Sequence, residues 1–368
     1  MSARRPARAA LLCMLLLWQS SLQAESSEQS NLGTAVEQAA LLGPIRGLTV
    51  GPIESNYHPD RGYGTASSRG AFKQVRRMGG NWVSLTPFGR IWDLSPSGID
   101  LDFEAPFARN RKNILHAVAQ AHALGLKVML VPHLWIETGG WRGEIEFESD
   151  AQWQTWAEAY RSFALSWAKV AEAAHVDLFS VGVELRSWVT TTRAASFESI
   201  IHDVRKVYTG PLTYGANWDD AKNTVIWGDL DYIGINAFFP LATKAGASIT
   251  ELRAGADRVK SDMRALSEVW GKPVLFTEMG YTNRKDPALK PWEWPEALNG
   301  VVLAPEEQAD AYAALLSSFA DEPWFVGFFA WRMYCDRFDT SQEPEWGFSP
   351  LDRSAGEVLS SAFRAHPL

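Results

Sequence analysis

From residue 47 to residue 331 the chain repeats one pattern: a short, almost wholly apolar run, then a longer stretch with helical spacing. The runs cover residues 47–50, 81–86, 127–132, 178–184, 212–216, 232–236, 273–277 and 326–331. Helical periodicity fills 67–78, 109–124, 151–174, 195–208, 249–270 and 305–320, and a last helix covers 355–363. Only a short helix fits between the fifth and sixth runs. In the 109–124 stretch Ile114, Leu115, Val118 and Ala121 share one face, and Gly125 supplies a C-terminal cap. Runs that are apolar at nearly every position suit strands buried on both faces, as in parallel sheets. Strands alternating with helices read as βαβ units. The rival topology is an open doubly wound sheet, which carries a glycine-rich phosphate turn after an early strand. Here the first run is followed by Gly51-Pro52-Ile53-Glu54, which is no such turn. The predicted fold is α/β, a (β/α)8 TIM barrel in a single domain.

The barrel domain is assigned to residues 44–368, with no linker or low-complexity tract inside it. Ahead of it, Arg4, Arg5 and Arg8 precede an apolar run at 9–18, and the small residues Ser20, Ser21 and Ala24 follow. That order reads as a signal peptide over 1–24, and so as a secreted or periplasmic protein with no stable membrane insertion once processed. A retained single-pass anchor is the alternative. Cys13 sits within the apolar run behind Leu12, which is not small, so a lipoprotein signal does not fit. Residues 25–43 are polar, then alanine-rich, and read as a flexible lead-in with a short helix near 36–42. Once the signal is removed Cys335 is the only cysteine, which excludes an intramolecular disulfide. A monomer is expected.

The net charge of −8 leaves no basic stripe to displace counterions, so no nucleic-acid partner is expected. The 17 tryptophans are more informative. Their flat faces fill cores and also stack on sugar rings, and about half are assigned to each use.

In a barrel of this kind function sits where strands end and βα loops begin. Those positions hold Thr86, Pro87 and Phe88; His133 and Trp135; Glu184 and Arg186; Asn217 and Trp218; Asn236 and Phe238; Glu278 and Tyr281; and Trp331, Arg332 and Tyr334. Glu184 and Glu278 each close an apolar run, where a carboxylate is costly unless it is paired or used. They lie 94 residues apart, about 31 for each of three βα units, a normal repeat. Both therefore face one barrel mouth. Glycoside cleavage needs such a pair, one group protonated and the other ionised. The competing reading makes each a buried ion-pair member, for example Glu184 with Arg186 or Arg332. Trp331 either floors a sugar site or caps the barrel. Asn217 and Asn236 either hold sugar hydroxyls or satisfy nearby backbone. His133 either faces substrate or is a structural histidine. Trp135, Trp141, Trp292 and Trp294 fall in loops, where large aromatics suit sugar subsites. Trp218, Phe238 and Tyr281 complete the candidate binding set. No HExxH pattern, no His-x-His and no G-x-S-x-G elbow occurs, so neither a metal site nor a serine nucleophile is expected, and no cofactor.

Several stretches together resemble glycoside hydrolase family 113. They are Ser84-Leu85-Thr86-Pro87-Phe88-Gly89, Val181-Gly182-Val183-Glu184-Leu185, Leu212-Thr213-Tyr214-Gly215-Ala216-Asn217-Trp218, Ile233-Gly234-Ile235-Asn236 and Leu275-Phe276-Thr277-Glu278-Met279-Gly280-Tyr281. Pro291-Trp292-Glu293-Trp294 adds to them. The resemblance implies a retaining (β/α)8 endo-β-1,4-mannanase acting on a polysaccharide or oligosaccharide. It implies that Glu184 is the general acid/base and Glu278 the nucleophile. It also implies that Trp331 is the aromatic at the end of the eighth strand. Many members of the wider clan carry Asn directly before the acid/base. Here that position is Val183, as in the family, which leaves Asn217 or Asn236 for the sugar 2-hydroxyl. An exo-acting β-mannosidase or another β-glycosidase remains open, as does a non-catalytic glycan-binding barrel.

Overall fold

Eight parallel strands close on themselves in the order β1, β10, β9, β8, β7, β6, β4, β2. They are β1 (Ile45–Gly51), β2 (Trp82–Leu85), β4 (Lys127–Leu130), β6 (Leu178–Val183), β7 (Leu212–Asn217), β8 (Ile233–Asn236), β9 (Val274–Met279) and β10 (Phe325–Tyr334). This computed structural model describes residues 31–39, 41, 43–52, 60–103, 105–293, 300–338 and 343–365. The expected signal peptide and Trp294 lie outside the described residues. The helices α2 (Ala66–Met78), α3 (Phe107–His122), α4 (Asp150–Ala174), α6 (Ala194–Arg205), α7 (Ile249–Trp270), α8 (Pro305–Phe319) and α9 (Ser354–Ala365) fall where periodicity placed them. The fold is the (β/α)8 TIM barrel read from the alternation of runs.

Two cores divide the strand residues by parity. Val83, Val128, Val274 and Phe276 belong to the layer between strands and helices. Their neighbours Trp82, Met129 and Leu275 join Leu178 and Phe329 in a second cluster that fills the barrel interior. Trp82 meets Phe329 edge-on at 6.1 Å across that interior. The barrel is therefore packed at its base, and its charged groups gather at its upper end. Trp82, Trp153, Trp156, Trp167, Trp188, Trp227, Trp324 and Trp331 are buried, about half of the tryptophans, as expected.

Four details depart from the sequence reading. Beyond β2 and β4 the chain pairs again as β3 (Phe88–Ile91) and β5 (His133–Ile136), a separate two-stranded parallel sheet. Pro87 and Pro132 stand at the break, where a missing N–H ends a ladder. A short helix, α5 (Arg186–Val189), directly follows Glu184 and Leu185. Trp331 is not the last residue of its strand, because β10 runs on to Tyr334. Within the expected lead-in, residues 31–39 form a helix, α1, with Ala35 and Ala39 buried. Among the described residues no helix is long and apolar enough to cross a membrane.

Candidate active site

Glu184 and Glu278 come together at the barrel mouth, both buried. Glu184 directly follows β6 with φ of 51°, left-handed backbone that non-glycine residues seldom adopt. Such strain persists where the surroundings hold it. Here the Glu184 N–H donates to the Gly215 carbonyl at 2.8 Å, and the Leu185 N–H donates to the Tyr214 hydroxyl at 2.6 Å. Both oxygens of Glu184 accept hydrogen bonds. Asn236 Nδ2 donates to Oε1 at 2.9 Å. Trp141 Nε1 and Arg142 Nη1 donate to Oε2 at 2.7 and 3.0 Å. Asn236 is fixed in turn, since Thr277 Oγ1 donates to its Oδ1 at 2.9 Å.

Glu278 has a drier environment. Burial, and then the charge of Glu184, pushes its carboxyl well above the usual range, against the opposing pull of Arg142 and Arg332. His133 Nε2 lies 3.3 Å from Glu278 Oε1 but out of line for a hydrogen bond. Burial, then Arg142 and Arg332, holds the His133 imidazole well below its ordinary value, so it is neutral. Those two atoms and Trp331 Nε1 are buried with no hydrogen-bond partner among the described residues. Buried polar atoms are rarely left so. Three around one mouth are the groups that a polar ligand would satisfy.

Aromatic surfaces extend from this point in two directions. Trp331 stacks on His133 at 6.0 Å, His133 meets Phe88 at 5.8 Å, and Phe88 meets Trp135 at 5.8 Å. On the other side Trp331 clusters with Phe238 and Phe348, with Trp218 packed against them. Trp218 stacks on Trp292 at 5.1 Å. The outermost ring on each side is half-exposed, Trp135 at 42% and Trp292 at 44%.

Of the residues expected here, Glu184, Glu278, His133, Asn236 and Trp331 converge, and Trp218, Phe238, Trp135 and Trp292 flank them. Two do not join. Tyr281 is fully buried in the main core, edge-on to Tyr312, and its hydroxyl donates to the Phe239 carbonyl. Asn217 donates to Asp219 Oδ1, so Asn236 and not Asn217 stands beside the carboxylates. Arg186 and Arg332 do not pair with Glu184: Arg186 binds Asp219 and Asp220, and Arg332 lies against Glu343. The arginine on Glu184 is Arg142, whose position in a loop gave no periodic signal. Thr277 was read only as the last residue of an apolar run.

A (β/α)8 barrel with two buried carboxylates at its mouth and aromatic surfaces to either side defines a glycoside hydrolase. The model of Glycoside Hydrolase Family 113 matches residues 56–345, and the chain belongs to that family. Among solved structures it is similar to a GH113 β-mannanase from Alicyclobacillus acidocaldarius, at 27% identity over 88% of this chain and 98% of that one, with a TM-score of 0.75. It is also similar to a GH113 β-1,4-mannanase at 23% identity, over 88% of this chain and 100% of that one, with a TM-score of 0.76. A β-glucuronidase from Faecalibacterium prausnitzii shares the fold at 15% identity, over 88% of this chain and 49% of that one, with a TM-score of 0.59. No curated protein matches by sequence.

Proposed function

We propose that the protein is a retaining endo-β-1,4-mannanase, exported from the cytoplasm and acting as a monomer on β-mannan or glucomannan. The observation that carries this reading is the buried pair of Glu184 and Glu278, beside three buried polar atoms without partners. The names of two similar mannanase structures support the substrate class. The aromatic surfaces support internal cleavage, because an exposed tryptophan at each end suits a chain that passes through. An exo-enzyme needs one end closed.

In the first step Glu278 attacks the anomeric carbon as the glycosidic C–O bond breaks, and Glu184 gives its proton to the leaving oxygen. In the second, Glu184 takes a proton from water, whose oxygen displaces Glu278 from the sugar as a free carboxylate. The pair starts with one proton, which leaves with the glycosidic oxygen in the first step and is replaced from water in the second, so it has to sit on Glu184 when the glycan is bound. In the empty site burial favours it on Glu278. Positive charge developing on the sugar favours the Glu278 anion, and Arg142 and Arg332 pull in the same direction. Neutral His133 beside Glu278 is left as a hydrogen-bonding group and not as a competing cation.

The test is a panel of β-glycans with a reducing-end assay, run beside Glu184→Gln. A ladder of manno-oligosaccharides early in the reaction is expected. Release of mannose alone would replace the endo reading with an exo one. Hydrolysis of another glycan and not mannan would overturn the substrate class.

A further inference from the structure

Oxygen Oε2 of Glu184 is the one that the leaving group has to meet, because Oε1 is held inside the barrel by Asn236. Yet Oε2 already accepts from Trp141 and Arg142. Two N–H donors therefore occupy Oε2, which presents neither a proton nor a vacant lone pair to the cleft. One of the two Oε2 donors must withdraw before Glu184 can act as an acid.

The two donors are held very differently. The indole of Trp141 has the Arg186 guanidinium 4.3 Å from its ring centroid. Arg186 is itself fixed by Asp219 at 2.6 Å and Asp220 at 3.0 Å. The edge of the indole folds onto Gly143, where any β-carbon would collide with the ring. Among the described residues Arg142 has, besides its bond to Glu184, a long 3.4 Å contact from Nε to the Leu134 carbonyl, on a side chain with several free rotations. Trp141 is clamped, and Arg142 can swing away.

We propose that Arg142 is a displaceable charge lock on Glu184: it holds the carboxylate in the empty site and yields its place at Oε2 to the glycosidic oxygen. This rests on the assignment of Glu184 as the acid. When Arg142 withdraws, Oε2 is free to meet the glycosidic oxygen to which the first step delivers a proton. The other groups facing Glu184 do not change place. Asn236 stays on Oε1, the Tyr214 hydroxyl is tied to the Leu185 N–H, Asp220 is tied to Arg186, and Glu278 is the proton's partner. Arg142 is thus a positioning residue.

Removing the lock takes a positive charge from beside the carboxylate pair, which favours the proton that the pair holds. In Arg142→Met the alkaline limb of the pH profile of kcat/KM on manno-oligosaccharides is expected to move up by about one pH unit. Arg142→Lys keeps a cation and is expected to fall between the variant and the wild type. A limb that stays in place, or moves down, overturns the proposal. A second readout needs no turnover. In Glu278→Gln with a manno-oligosaccharide spanning the site, Arg142 should have left Oε2 for the glycosidic oxygen to take its place. Arg142 still bound to Oε2 in that complex overturns the lock. A wild type inert on every β-glycan would instead overturn the functional reading.

Discussion

A carboxylic acid at the mouth of a packed barrel is a different reagent from one in water, because the low-dielectric wall penalises its anion. Glu278 carries that penalty with little compensation, whereas Glu184 is met by three N–H donors. Two like residues are thereby made unlike. Glu184→Gln cannot donate a proton, and kcat on mannan is expected to fall by about 10²–10⁴-fold. A synthetic glycoside whose leaving group departs without a proton should lose far less in its first step. Equal losses on both substrates would remove Glu184 from the acid role. Both carboxylates were legible in the sequence, since a charge closing an apolar strand asks for a reason. Asn236 was read no more strongly than Asn217, since each is an uncharged polar residue at a strand end. Trp141 and Arg142 were not tied to Glu184, because a loop has no period and brings them there from 43 and 42 residues away. Tyr281 misled because it lies just past β9, where the chain has already turned back into the core.

At the scale of elements, most of the barrel could be read directly, because buried parallel strands and amphipathic helices have distinct periods. The β3–β5 sheet could not be read. Its strands alternate poorly and begin at prolines, so Phe88 to Ile91 and His133 to Ile136 looked like loop. That sheet positions His133 and Trp135. Helices α4 and α7 are each started by a capping box, Ser149 with Gln152 and Ser248 with Glu251. Either serine replaced by alanine should cost about 1 kcal/mol in urea unfolding, with kcat unchanged. A cost near zero would mean that the caps are redundant with packing. The seam between β1 and β10 is tighter. Gly327 has φ of 130°, and a β-carbon there would run into the Ile45 carbonyl. Gly327→Ala should lose about 2 kcal/mol or more, since both strain and overpacking act on it.

At the scale of the whole molecule, the same burial that tunes the site makes stability depend on pH. Asp220 stands at about 7 in the fold against an ordinary value of 3.8, chiefly through burial and despite Arg186. The folded state therefore keeps a proton that the unfolded chain gives up. The stability that Asp220 contributes is fullest below about pH 4 and is lost as pH rises to about 7, and Glu278 acts in the same direction. Asp220→Asn should flatten that slope when urea midpoints are compared across the interval. An unchanged slope would place the dependence elsewhere.

The central claim is that Glu278 forms the bond to the sugar while Glu184 manages the proton. Trapping measures it most directly: a 2-fluoro mannosyl fluoride slows release of the glycosyl-enzyme, and mass spectrometry of the digested protein locates the label. The account requires one sugar per chain on the peptide that contains Glu278. A label on the Glu184 peptide, or full turnover of mannan with no label on either, would contradict it.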